Sequence, residues 1–159
     1  MVVASLRGQE VAGSKHSRAQ IGPLLGEYVA TEKIENIYRT NPFVGQIFVD
    51  GDSMKPCLMA VVVPDDVYLA TWAPSNGFPS SIKEFCNAEG AKKLVLDEMI
   101  KEGNNAGMMK FEQVKDIYLE PEVFSIENEL LTPTMKNKRV ALRRKYASTV
   151  EQLYVENGL

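Results

Sequence analysis

The longest unbroken apolar run in the chain, Leu58-Met59-Ala60-Val61-Val62-Val63, sets the terms for the fold. It falls far short of the ~20 apolar residues a membrane-crossing helix needs, and as a short run ending in three valines it is strand-like. Val44 to Asp50 is a second strand-like run. Gly51-Asp52-Ser53 lies between the two, and Pro56 stands near the start of the second. This pattern predicts a hairpin with a longer loop.

Helical signals surround the hairpin. Thr31 is placed to cap a helix, with Glu32 in its first turn, where a carboxylate meets the positive helix end. Ile34, Ile37 and Tyr38 continue the stripe to about Arg39, and Asn41-Pro42 stops it. Asp65 to Trp72 predicts a short helix, and Ala73 to Ser81, rich in Pro and Ser, predicts a loop. Ser81 caps a helix carrying Ile82, Phe85 and Cys86. Ala91 to Glu102 is a further helix with Leu94, Val95, Met99 and Ile100, ended by Gly103-Asn104-Asn105. Phe111 to Leu119 and Val123 to Ile126 read as extended. Arg139 to Glu156 is the strongest helix, with Tyr146, Val150, Leu153 and Tyr154 on one face. The sum is an α+β domain: a small sheet with a β-hairpin, flanked by helices and closed by a long C-terminal helix.

The 159 residues suit one domain with a tail. Residues 1–23 read as a flexible head, rich in Gly, Ser, Ala and Arg with Glu10 as the sole acid, and residues 24–159 as the folded domain. The 18 basic residues against 21 acidic ones argue against wholesale nucleic-acid binding. Cys57 and Cys86 show no CxxC spacing, which points to reduced thiols rather than a disulfide framework. With one histidine, His16, no metal site and no Ser–His–Asp constellation is expected.

One segment stands out chemically. Between Lys136 and Lys145 lie six cations, Lys136, Lys138, Arg139, Arg143, Arg144 and Lys145, with no acid among them. They fall just before and within the first turns of the last helix, where positive charge is disfavoured by about 0.3–1 kcal/mol each. Such a surplus suits an anion, such as a phosphate, an acyl phosphate or a partner's carboxylates. A solvated basic face is the plainer alternative. No glycine-rich phosphate loop is present. Asp50-Gly51-Asp52-Ser53 reads as a hairpin turn rather than a calcium loop, for want of a closing glutamate. Met108-Met109 and Trp72 read as core filling. On spacing alone, Gly26 beside Tyr28 reads as a turn.

At these residues the sequence resembles the C-terminal domain of long-chain acyl-CoA synthetases, members of the adenylate-forming, AMP-binding enzymes. The likeness rests on Gly26-Glu27-Tyr28-Val29-Ala30 with Glu32 to Tyr38, on Pro42-Phe43-Val44 with Gln46 to Val49, and on Gly51-Asp52-Ser53. It continues through Phe111 to Lys115, Phe124 with Glu127-Asn128, and Leu130-Leu131-Thr132-Pro133-Thr134 with Lys136, Lys138 and Arg139. Leu153-Tyr154 closes it. The resemblance implies a lid-like domain of a fatty acid–CoA ligase. A fatty acid attacks ATP, with Mg2+, to give an acyl-adenylate and pyrophosphate. Coenzyme A then displaces AMP.

The resemblance also implies roles. Lys136 is the catalytic lysine of the adenylation step, with Lys138 the neighbouring candidate. Lys138 and Arg139 are candidate phosphate contacts. Gly26, Glu27 and Tyr28 form the loop that faces the thioester-forming site, which replaces the plain turn. An N-terminal adenylation domain, absent from this sequence, is the implied partner and the main holder of ATP and Mg2+. The implied location is the cytosolic face of the endoplasmic reticulum or peroxisome, or the soluble cytoplasm for a separate fragment.

Several positions depart from the family pattern. Ser14-Lys15-His16-Ser17-Arg18 stands where an Asp-Arg-x-Lys hinge belongs, so the head reads as unrelated sequence joined at the hinge. Thr31 stands at a frequent proline, Met135 and Asn137 flank Lys136 in place of apolar or aromatic residues, and Asp50 replaces a common tyrosine. The chain alone is expected to be incomplete as a ligase. A non-catalytic anion- or partner-binding module derived from the same domain is the alternative.

Overall fold

The structure is a computed structural model. It describes the backbone of residues 18–20 and 28–29, and residues 30–51 and 54–159 with their side chains. Two short strands, β1 (Arg18–Gln20) and β2 (Tyr28–Ala30), pair antiparallel with Ala19 opposite Val29. β1 falls inside the segment expected as the head.

The main sheet has three strands in the order β3 (Val44–Asp50), β4 (Leu58–Pro64), β5 (Val114–Leu119). β3 and β4 form the expected antiparallel hairpin, with Phe48 opposite Val61. β4 and β5 run parallel, with Ala60 opposite Ile117. The crossover between them carries α2 (Asp66–Asn76), α3 (Ile82–Cys86) and α4 (Ala91–Asn105). α1 (Thr31–Tyr38) precedes the sheet and α5 (Arg139–Glu156) ends the chain.

The apolar run at Leu58–Val63 is continuous because both faces of the sheet are covered. Leu58, Ala60 and Val62 point to one core, where they meet Ile34 and Tyr38 of α1, Leu69 of α2, Phe85 of α3 and Val95 and Met99 of α4. Met59, Val61 and Val63 point to the other, against Leu142, Tyr146, Val150 and Leu153 of α5. All six strand residues are at most 1% exposed, and burying each valine, leucine or methionine side chain contributes about 1.5–3 kcal/mol.

The structure redraws several expected boundaries. Ala30, not Thr31, holds the N-cap position of α1, and Thr31 is its buried first residue. α2 runs past Trp72 and through Pro74, across the segment expected as loop, and ends at Gly77 with φ 74°. Asp65 caps its start by accepting from Tyr68 N–H at 2.8 Å. Packing carries the helix beyond its sequence signal: Ala73 is fully buried and Trp72 stacks edge-on against Phe43 at 4.8 Å. α4 likewise continues through Gly103, where a β-carbon would lie 3.3 Å from Met108 Sδ. That glycine extends the buried stripe of Ala91, Val95 and Met99 rather than stopping the helix.

Val123–Ile126 forms no strand. The Gln46 side chain serves it in place of one. Gln46 Nε2 donates to Phe124 O at 2.8 Å, and Phe124 N–H donates to Gln46 Oε1 at 2.7 Å. Met108 is in the core as expected, whereas Met109 is 61% exposed.

Candidate functional site

Leu131 and Asn137 form an isolated antiparallel bridge that closes a tight turn. Within it Thr132 N–H donates to Lys136 O at 2.7 Å, and Met135 N–H to Thr132 O at 2.8 Å. Lys136 N–H donates to Thr132 Oγ1 at 3.1 Å. Met135 stands at φ 63°, in the left-handed region that a side chain with a β-carbon adopts at a cost. The exposed Lys136 side chain follows directly, so the turn presents it to solvent.

Below the turn, the chain is tied to the sheet. Asn137 Nδ2 donates to Ile47 O at 2.9 Å, and Lys138 N–H to Leu130 O at 2.9 Å. A cleft of about 160 Å³ separates the turn from α1. Glu32, Glu35, Asn36 and Arg39 line one side, and Met135, Lys136 and Asn137 the other. β2, which carries Tyr28, leads directly into α1. The predicted residues Gly26 and Glu27 lie outside the described residues, and of Tyr28 only the backbone is described.

The six cations divide into two groups. Arg139 pairs with Glu35 at 2.9 Å, Arg143 with Asp50 at 3.1 Å, and Lys145 with Glu122 at 3.1 Å. Lys136, Lys138 and Arg144 make no ion pair among the described residues. Part of the cationic surplus is therefore answered by acids from distant sequence. The remainder is concentrated at the turn and on the first turns of α5. Asp50, noted as a departure, earns its place as the partner of Arg143.

Arg139 does not join Lys138 at the surface. Its side chain is only 10% exposed. Nη1 contacts Glu35, Nη2 donates to Val49 O at 2.7 Å, and the guanidinium lies 5.1 Å from the Phe48 ring centroid. Glu35 also accepts from Val49 N–H at 2.9 Å. Burial pushes the Glu35 carboxyl above its ordinary range, against the pull of Arg139 and of the Val49 amide. No site motif in the sequence marks Glu35. Its signal is a carboxylate within the buried stripe of α1, beside Ile34 and one turn from Tyr38.

The two cysteines are free thiols. Burial raises both, Cys86 to about 11 with help from Glu120, so neither is set up as a nucleophile. Among the described residues no group of three or more His, Cys, Asp or Glu side chains is arranged to hold a metal ion. Among them, too, no helix is long and apolar enough to cross a membrane.

No protein-family model matches the sequence. Over 129 residues, however, the chain is 50% identical to long-chain-fatty-acid–CoA ligase 1 of Homo sapiens. The chain is a homologue of the long-chain-fatty-acid–CoA ligases. The ligase 1 of Cavia porcellus is 49% identical over the same length. Each match takes in 81% of this chain and 18% of the relative, so the chain spans under a fifth of the length of these relatives. Among solved structures, the A domain of the carboxylic acid reductase of Segniliparus rugosus, in complex with AMP and a co-purified carboxylic acid, superposes with a TM-score of 0.71 at 29% identity. That likeness covers 87% of this chain and 20% of the reductase domain. The α+β architecture, with its three-stranded sheet and long final helix, is therefore one that occurs within adenylation domains.

Proposed function

We propose that the chain acts as the C-terminal catalytic portion of a long-chain fatty acid–CoA ligase, working with an adenylation domain that binds ATP, Mg2+ and the acyl chain. In the first half-reaction a fatty-acid carboxylate oxygen attacks the α-phosphorus of ATP, forming the acyl-adenylate and expelling pyrophosphate. Lys136 supplies a mobile positive charge to the oxygens on which negative charge gathers. An ammonium on a flexible stem suits that task, because it acts as a point charge without a fixed fork. Lys138 is the neighbouring phosphate contact. Arg139, spent inside the fold, is not given that role. In the second half-reaction the thiol of coenzyme A attacks the acyl carbon and AMP leaves, with the Gly26-Glu27-Tyr28 segment facing that step.

The observation that carries this reading is Lys136 itself. It is an exposed cation on a hydrogen-bonded turn, without an internal partner among the described residues, in a chain that over 129 residues is 50% identical to a human long-chain-fatty-acid–CoA ligase. Mg2+ would come with ATP to the adenylation domain, since the described residues of this chain offer no ligand cluster for it. The same reading puts the complete enzyme at the cytosolic face of the endoplasmic reticulum or peroxisome.

The test joins the chain to the adenylation domain of a ligase relative and follows ATP- and fatty-acid-dependent pyrophosphate release. Lys136→Ala is expected to slow acyl-adenylate formation by about 10²–10³, the usual cost of removing one group that stabilises a developing oxyanion. The unfolding midpoint should be unchanged, because the side chain is exposed. An unaltered rate would overturn the assignment of Lys136.

A further inference from the structure

We propose that the buried Glu35–Arg139 pair, together with Asn137, positions Lys136 by locking its turn along the free edge of the sheet. The proposal rests on the reading of Lys136 given above. β3 is an edge strand: among the described residues, no strand of the main sheet pairs with its outer side. The segment after Lys136 takes that place with side chains. Asn137 donates to Ile47 O, and two residues later Arg139 donates to Val49 O. The step of two on both partners copies the period of a strand ladder. Glu35 completes it from α1, accepting from the Val49 N–H and from Arg139 with the same oxygen. Both backbone polar groups of Val49, its N–H and its C=O, are thus held by this one ion pair. α1, β3 and the turn are fastened at a single residue.

Stability alone does not explain such an arrangement. A buried ion pair is often no better for stability than apolar residues of similar volume. Here Arg139 Nε is also buried with no hydrogen-bond partner among the described residues. Apolar contacts, being non-directional, would cover Phe48 equally well but would not set the register of residues 137–139 against β3. The Met135 backbone supports the same conclusion. A side-chain-bearing residue at φ 63° persists where its surroundings over-determine it. Bracing on one side and a tight hydrogen-bonded turn on the other leave the Lys136 backbone little freedom. Its long side chain then works from a fixed base.

The test uses three variants: the double substitution Glu35→Leu/Arg139→Met, Asn137→Ala, and Arg139→Lys. The double variant removes the pair without leaving a lone buried charge, which lets the domain fold. Tryptic cleavage after Lys136 and Lys138 is measured on the native chain, alongside the unfolding midpoint. Cleavage is expected to rise at least about tenfold in the double variant while the global midpoint stays near the parent's, as local rather than global opening requires. In the chain joined to an adenylation domain, kcat for acyl-adenylate formation should fall by about 100-fold, the scale of a 1 Å misplacement, with KM for ATP and fatty acid held within about threefold.

Arg139→Lys keeps the charge for Glu35 but replaces the rigid two-nitrogen fork, which holds Glu35 and Val49 O in fixed directions, with a single rotatable ammonium, so it should retain only part of the parent kcat. Parent-like cleavage and parent-like kcat in the double variant would overturn the proposal. Asn137→Ala carries the same test, with the same two readouts, if the double variant does not fold. Lys136→Ala in the same assay separates the two ideas. If it abolishes turnover while the lock variants run at the parent rate, only the positioning proposal fails. If it leaves turnover intact, the reading of Lys136 fails, and the cleavage result still judges the lock.

Discussion

Replacing Gln46 by glutamate changes one NH₂ group into an oxygen and tests the side-chain link to Phe124 in isolation. In the parent, Gln46 accepts from Phe124 N–H and donates to Phe124 O. An ionised carboxylate is an acceptor only. It keeps the first bond and sets a negative oxygen against the Phe124 carbonyl at the second, where the present separation is 2.8 Å. Leaving a partly buried acceptor unsatisfied costs about 1–3 kcal/mol, and the repulsion places Gln46→Glu toward the upper part of that range. At 1.36 kcal/mol per pKa unit, about 1.5–3 kcal/mol lifts the introduced carboxyl in the folded state by about 1–2 units above the reference near 4.3.

The protonated acid regains an O–H donor, so the lost bond returns at low pH. The sign follows from linkage: the folded state holds the proton more tightly than the unfolded one. The variant therefore approaches the parent below about pH 4, and its deficit grows as pH rises through about 5.5–6.5. The assay is urea unfolding of parent and variant from pH 4 to pH 8, comparing the difference in unfolding free energy at each pH. A variant as stable as the parent at pH 8, or a deficit that does not change with pH, would refute the pairing.

Two further outcomes follow from the packing. Gly45→Ala places a β-carbon 3.1 Å from Asp65 Cα and from the Pro64 and Val63 carbonyl oxygens, all of them backbone atoms. The strand must shift, and destabilisation of about 1–3 kcal/mol is expected in chemical denaturation; a neutral result would mean that the β3–β4 irregularity yields freely. The Cys86 thiol, raised from 9.0 to about 11, holds about 100-fold less thiolate at pH 8 than an unperturbed one, because each pKa unit is tenfold. Alkylation of the half-buried Cys86 should be slow in the native chain and accelerate on adding denaturant, read by peptide mass mapping, and rapid native labelling would contradict the raised thiol.

What the sequence could disclose depended on whether the cause lay nearby. The hairpin was legible because β3 and β4 are consecutive and their patterns are strong. α5 was legible because Tyr146, Val150 and Leu153 repeat at helical spacing, and its observed bounds, Arg139–Glu156, are those expected. The helices α2 and α4 overran their local stop signals. Propensity alone makes Pro74 and Gly103 stop signals, whereas burial of Ala73 and the tight packing around Gly103 decide the outcome.

The cation-rich segment shows the same division at the candidate site. Its excess charge was plain, and half of its explanation was out of sight. Arg139 meets an acid 104 positions away, and Arg143 one 93 positions away. No spacing rule reaches that far. A family resemblance points to Lys136, while Glu35, Asn137 and the edge they brace are visible only in three dimensions.

The two-sided burial of β4 bears on the fate of damaged or unfinished chains. One face of that strand is covered by α5, the helix that begins three residues after Lys136. A chain that stops before α5 leaves Met59, Val61 and Val63 without the helix that covers them, beside Phe48. Such a patch invites chaperones, proteases or self-association. A product without the lysine segment is therefore also a product without its cover. Cellular quality control reads exposed apolar surface and not chemistry, so it would act on such truncated copies whatever residues they carry.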